Sequence, residues 1–321
     1  MNTEFVGALE ELSVDVGIPL DDLLRTVESA LASAYKRAFD VAGDVRVRLD
    51  PASAGIEVER HLHHRDGSET VEKLPVESFR RLAAQTAREA VLRHIRDLER
   101  DKVLRDVAGR RGELVTGLVD RLDGGVAYVE LGRVEGVMPP EEQIPGERLT
   151  PGRLVTVVIL EPRRNARSAQ VTVSRASRTL VQRLLEAEVP EIAAGTVEVK
   201  AIAREPGLRT KVAVVSRQPG IDAVGACVGP KGVRHQALLT ELGGEHVDIV
   251  PWSEDAPAYV TGALGPARVD HVTLDAPSRT ATVFVPREHL SLAIGKDGQN
   301  ARLAAKLTGW RIDIKPADDG E

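Results

Sequence analysis

The chain has 321 residues, 42% hydrophobic and 29% charged, with a formal net charge of −6. Such a length suggests about two domains, with room for more if they are small, and the balance is that of a core-forming globular chain rather than a disordered or fibrous one. No run of about 18 apolar residues offers a membrane span, residues 1–11 lack a basic and apolar leader, and a single cysteine, Cys227, excludes an intrachain disulfide. A cytoplasmic location is expected.

Residues 3–14 and 20–39 read as helices, the second with Leu20, Leu23, Leu24, Val27, Leu31 and Tyr35 at helical spacing behind Pro19, Asp21 and Asp22. The period then drops to two. Val45, Val47 and Leu49 alternate with Arg46 and Arg48, and Ile56 and Val58 with Glu57 and Glu59, giving two strands joined by a turn over 51–55, with a third short strand near 70–74. Residues 77–106 contain no Gly or Pro and form a long helix, apolar at Phe79, Leu82, Ala83, Ala90, Leu92, Ile95 and Leu98. At 1.5 Å per residue it would span roughly 45 Å, a length suited to a connector. From Gly109 the texture is all-β: 112–122, 125–131, 136–138, 154–160 and 169–174 are five short strands that fit a small Greek-key barrel of the OB type. Aromatics are only 3% of the chain, so its cores are expected to be built from Ala, Val, Leu and Ile.

The acidity is uneven. Residues 1–107 hold 16 Lys+Arg against 21 Asp+Glu, which leaves 27 against 28 for 108–321. The later part could hold a polyanion only through local patches and backbone amides. Such a patch recurs there. The run Cys227-Val-Gly-Pro-Lys-Gly-Val-Arg-His-Gln-Ala-Leu238 aligns with Ala293-Ile-Gly-Lys-Asp-Gly-Gln-Asn-Ala-Arg-Leu-Ala304 at an offset of 66, and Leu242–Ile249 aligns with Leu307–Ile314 at 65. Alternating strands precede each copy, at 211–215 and 280–285, so each unit reads strand, helix, Gly-x-x-Gly, helix, strand. That is the order of the KH module, whose Gly-x-x-Gly loop clamps a nucleic-acid backbone. Between two helices such a loop aims amide N–H groups at a phosphate, glycine permits the close approach, and Lys231 and Lys296 can add cationic contacts. A nucleotide-binding phosphate loop needs G-x-x-x-x-G-K-[ST]; here Lys231 is followed by Gly232, so no nucleotide site is expected.

With these residues in view the chain resembles the NusA family of bacterial transcription elongation factors, especially its versions from high-GC actinobacteria. The resemblance is carried by Val224–Arg234, Glu241–Val250, Ala293–Ala304 and the linker Glu188-Val-Pro-Glu-Ile192. It implies a multidomain α+β protein: an N-terminal polymerase-binding domain with a connector helix (1–107), an OB-fold barrel (108–178) and two tandem KH domains (179–250 and 251–321). It also implies binding to RNA polymerase core and to nascent single-stranded RNA, with pausing, termination or antitermination as the outcome, alone or with other antitermination factors. On that resemblance the RNA contacts are Gly229, Pro230, Lys231, Gly232 and Arg234 in the first loop, and Gly295, Lys296, Gly298, Gln299, Asn300 and Arg302 in the second. Two features depart from the pattern: Ala223 stands where Pro is frequent, and Asp297 puts a carboxylate in the second loop, so the first loop is expected to bind phosphate more strongly. The chain ends soon after Ile314, and the C-terminal acidic repeats of some relatives are not expected.

Other residues are less specific. Arg163, Arg164 and Arg167 lie in the expected loop between the fourth and fifth barrel strands, a nucleic-acid face of OB folds or simply a solvated basic turn. Tyr128 is the only aromatic between 108 and 178, available to stack a base or to pack a strand. His61, His63 and His64 lack further ligands and read as an exposed polar edge, and Cys227 as a packed thiol. Arg80, Arg88, Arg96 and Arg100 on the long helix read as a solvated face. No cofactor, metal or catalytic set is expected. The competing class is a ribosome-assembly or RNA-processing factor; a phosphorolytic nuclease would need a catalytic domain that residues 1–107 are too short to supply.

Overall fold

The computed structural model describes residues 3–50, 55–64, 68–164 and 169–317, divided between a first unit ending at Val103 and a second beginning at Leu104. In the first, α1 (Thr3–Val16) and α2 (Leu20–Phe39) precede an antiparallel sheet of β1 (Asp44–Leu49), β2 (Ile56–His63) and β3 (Glu69–Lys73) in that order. The turn expected over 51–55 falls mostly outside the described residues. Val45, Val47 and Leu49 point to one side of β1, as the alternation predicts, and meet Leu24, Val27 and Leu31 of α2 in one core. After a 3-10 turn (Glu77–Phe79), α3 runs from Arg80 to Ala108. In its first half the buried positions are Ala83, Ala87 and Val91 behind Phe79, an i, i+4 series of mostly small side chains, whereas Leu82 and Leu92 are exposed; near its end Leu104 and Val107 are buried. Of the expected apolar positions Phe79 and Ala83 are buried and Ile95 packs on the core, while Leu82 and Leu92 face outward. The core is also not purely aliphatic: Tyr35 and Phe79 are fully buried edge to face, 5.0 Å apart, and the Tyr35 hydroxyl donates to Pro75 O at 2.8 Å.

The second unit opens on a closed barrel. Its strands β4 (Leu114–Asp123), β5 (Val126–Glu130), β6 (Glu135–Met138), β7 (Leu154–Arg164) and β8 (Ala169–Ser174) join in the order β4-β5-β6-β8-β7, and β7 closes on β4. Apolar side chains fill it, alternating along most strands: Val119, Ala127, Val129, Val137, Met138, Val155, Val157, Val171 and Val173 are buried, with Val137 and Met138 adjacent in β6. Strand β7 is longer than expected. Arg163 and Arg164 pair with Gln170 and Ala169 across the ladder, so they belong to a strand end and not to a loop.

Two units of the same order follow, the first with one additional short helix. The first comprises α4 (Arg178–Glu188), the short α5 (Pro190–Ala193), β9 (Val197–Glu205), β10 (Arg209–Ser216), α6 (Ala223–Val228), α7 (Val233–Glu241) and β11 (His246–Pro251). The second comprises α8 (Ala256–Ala263), β12 (His271–Asp275), β13 (Thr280–Val285), α9 (Leu290–Ile294), α10 (Gln299–Thr308) and β14 (Arg311–Pro316). Each sheet has three strands, with the middle strand antiparallel to the one before it and parallel to the last. The leading helix and the first strand of each unit are additions to the sequence reading, although the alternation in His271–Asp275 carries the signal for β12.

The second unit is held together by shared cores. Val158 of the barrel packs with Leu180, Val181, Leu184 and Leu185 of α4. Arg175, 1% exposed, joins Glu147 in the barrel region (2.7 and 2.9 Å) to Glu241 at the end of α7 (3.0 Å). Between the two repeated units, Ala203, Ala213 and Val250 of the first sheet share a core with Tyr259, Val260, Leu303, Ala304 and Leu307 of the second. Lys211 is buried there, donating to Asp248 at 2.9 Å and to Gly265 O at 3.1 Å.

Candidate nucleic-acid interface

The sequence duplication is also a duplication of backbone. Helix α6 starts at Asp222, whose carboxylate accepts from the Val224 N–H at 3.0 Å, and ends where the Gly229 N–H returns to Gly225 O. Gly229 then sits at φ 75°, ψ 172°, Lys231 at φ 53°, ψ 23°, and Gly232 at φ 77°, ψ 14°, after which α7 begins. The second loop gives φ 76°, ψ 170° at Gly295, φ 52°, ψ 26° at Asp297 and φ 73°, ψ 13° at Gly298. Lys231 thus matches Asp297, and Pro230 matches Lys296.

The fifth residue after each leading glycine fixes the loop. Arg234 donates from Nη1 to Ala226 O (2.6 Å) and to Glu191 (2.9 Å). Asn300 donates from Nδ2 to Leu292 O (3.3 Å), Ala293 O (3.1 Å) and Leu264 O (3.0 Å). Both side chains thus satisfy carbonyls that the end of a short helix leaves without intrahelical partners. Asn300, 1% exposed, is turned into the core and cannot touch an incoming strand, and Arg234 is committed inward. Their part is to hold the loop, which corrects the expectation of direct contact for Asn300.

Several amides expected to face an anion are used within the loops. The Gly232 N–H donates to Gly229 O and the Gly298 N–H to Gly295 O, while those of Val233 and Gln299 return to Pro230 O and Lys296 O. Pro230 has no N–H. The amides of Lys231 in the first loop and of Lys296 and Asp297 in the second make none of these bonds. Pro230, Lys231, Lys296 and Asp297 are exposed, and among the described residues neither lysine has an ion-pair partner. Gln299 and Arg302, by contrast, are both bound to Glu205 of β9. Glu191 falls in the linker 188–192 but with no role assigned to it there, and Glu205 was not singled out from the sequence; each lies far along the chain from the arginine it meets.

On the barrel, Arg163 is exposed at its strand end, the Arg164 side chain and all of Arg167 lie outside the described residues, and Tyr128 is half-buried. The Arg121 guanidinium lies 3.8 Å from the Tyr128 ring centroid and is fixed by Glu135 (2.6 Å) and Asp120 (2.8 Å), so one face of the only barrel aromatic is already covered. Cys227 is buried, and burial pushes its thiol up to about 11, which keeps it protonated. His61 is not on an exposed edge: it is buried, with Nδ1 2.7 Å from Glu69.

A five-stranded barrel followed by two glycine-loop units of one order defines a barrel–KH–KH protein. Family models match in the same sequence along the chain: NusA N-terminal domain over 4–64, NusA-like first KH domain over 175–252 and NusA-like second KH domain over 257–321. The transcription termination/antitermination protein NusA of Halalkalibacterium halodurans is 41% identical over 344 aligned residues, covering 100% of this chain and 90% of that protein. Those of Bacillus subtilis and Mycobacterium tuberculosis are also 41% identical, each over 92% of their length and over 99% and 97% of this chain. The chain belongs to the NusA family.

Proposed function

We propose that this chain is an RNA-binding transcription elongation factor that joins RNA polymerase core and the emerging transcript, and so modulates pausing, termination and antitermination. The observation that carries the reading is the paired, exposed Gly-x-x-Gly loop of one backbone geometry behind a closed barrel. Residues 1–107 are assigned to polymerase, 108–178 to the barrel, and 179–250 and 251–321 to the two KH domains. In each loop the phosphodiester meets the remaining amides (that of Lys231 in the first, those of Lys296 and Asp297 in the second), the N-terminal end of α7 or α10 and one exposed lysine, Lys231 or Lys296. Gly229, Pro230, Gly232, Gly295 and Gly298 supply close backbone approach, and Arg163 at the barrel adds a cationic contact. The weak aromatic content fits backbone clamping rather than stacking as the main source of affinity.

No helix of the described residues is long and apolar enough to cross a membrane. The action is non-catalytic: labelled RNA incubated with the protein, phosphate and magnesium is expected to stay intact. The decisive test is capture by purified core polymerase. The full chain is expected to be retained and a 104–321 fragment to be lost; equal retention of both would remove the first unit from polymerase binding.

A further inference from the structure

Helix α10 carries the second loop but is not free to answer a phosphate with all its polar groups. Glu205, the last residue of β9 in the first KH unit, accepts from Arg302 Nε at 2.6 Å and Nη2 at 3.1 Å, and from Gln299 Nε2 at 3.0 Å. Arg302 Nη1 donates in turn to the carbonyl of Asp297 inside the loop, at 3.2 Å. The Glu205 side chain is 17% exposed and that of Arg302 48%, so the carboxylate is fixed while the guanidinium lies at the surface beside the loop. The Arg302 guanidinium holds the Glu205 carboxyl below its ordinary range, and it is ionised at neutral pH. In the first loop the positions matching Gln299 and Arg302 are Val233 and Gln236, and among the described residues neither meets a carboxylate.

We propose that Glu205 sets the phosphate affinity of the second loop, acting across the boundary between the KH units as a positioning residue for Arg302. This rests on reading the loops as RNA-backbone clamps. Between Gly295 and Arg302, Lys296 stands next to Asp297 and Arg302 is paired at the surface with Glu205; the first loop also pairs an arginine with a carboxylate, Arg234 with Glu191, but that arginine is turned inward to Ala226 O, and Lys231 has no carboxylate as a neighbour in its loop. A strand arriving at the second loop therefore meets two carboxylates and gains Arg302 only by drawing it from Glu205. Such an exchange keeps the helix in place, because Gln299 and the shared core still hold α10 to β9.

The test uses the full chain carrying Gly232→Asp, which weakens the first loop, and a fluorescein-labelled mixed-sequence single-stranded RNA titrated across a range of salt. Glu205→Gln removes the charge but keeps an acceptor for Arg302. Binding is expected to tighten about fivefold at low salt, with the slope of log K against log salt steeper by about 0.7. Adding Arg302→Gln should return the slope to the parent value, a change that a purely structural role for Glu205 would not produce. Unchanged affinity and slope in a Glu205→Gln protein that melts like its parent would overturn the proposal, as would a gain that survives Arg302→Gln. If Gly298→Asp also leaves binding unchanged, it is the clamp reading of the second loop that fails.

Discussion

Gly229 and Gly232 bound one loop and are required for different reasons. The backbone of Gly229, like that of Gly295, lies in a region of positive φ and extended ψ that only glycine occupies at ease. A Cβ there would also collide: at Gly229 with Arg234 Cγ at 2.7 Å, at Gly295 with the backbone N and Cβ of Asn300 at 2.8 Å. Gly232 and Gly298 are left-handed but open, with nothing within 4 Å of an added Cβ. Gly295→Ala is thus expected to cost about 3 kcal/mol of stability and Gly298→Ala about 1 kcal/mol, measured by denaturant unfolding; equal costs would contradict the steric argument. The glycines were legible because their spacing repeats. The inward turn of Asn300 was not legible, because a polar residue on a helix does not reveal which way it points; the carbonyls it meets include those at the end of the preceding five-residue helix.

At the scale of elements, the middle strand of the first KH sheet is buried on both faces, by α6 and α7 on one and by α10 on the other. That double burial explains why Lys211 sits in a core at all. Its amine is pulled down by burial and partly held up by Asp248. Burial alone would raise the Asp248 carboxyl, but the hydrogen bond from Arg209 and the charge of Lys211 outweigh it and leave it below its ordinary value. A lowered carboxyl contributes stability above the unfolded-state value of about 3.9 and loses it as pH falls through the folded one. Asp248→Asn, which strands a buried ammonium, is expected to cost about 3 kcal/mol at neutral pH, with the gap to the parent closing below about pH 4 in urea titrations. A gap independent of pH would show that the pair is not ionic. None of this was readable from β10 itself, where Lys211 follows two other polar residues, Arg209 and Thr210, and precedes the apolar run 212–215. What covers a sheet's second face is decided by a helix about ninety residues later.

At the scale of the molecule, the succession of helices, barrel and repeated units was written in periodicities: 3.6 for α2, two for β1 and β2, and an internal offset of 66 for the loops. What the sequence left unsaid are contacts between distant segments: Arg175 linking barrel to α7, and Glu205 reaching α10. These make the second unit more than modules in series, because a charge in one KH unit bears on the loop of the next. The most direct measurement is single-stranded RNA affinity, across salt, of the chain carrying both Gly232→Asp and Gly298→Asp. These positions have room for the side chain and a left-handed backbone that Asp tolerates, so the fold is expected to survive. A loss of at least about tenfold at low salt and a shallower salt slope are expected; a folded double variant with the parent's affinity and slope would contradict RNA binding through the two loops.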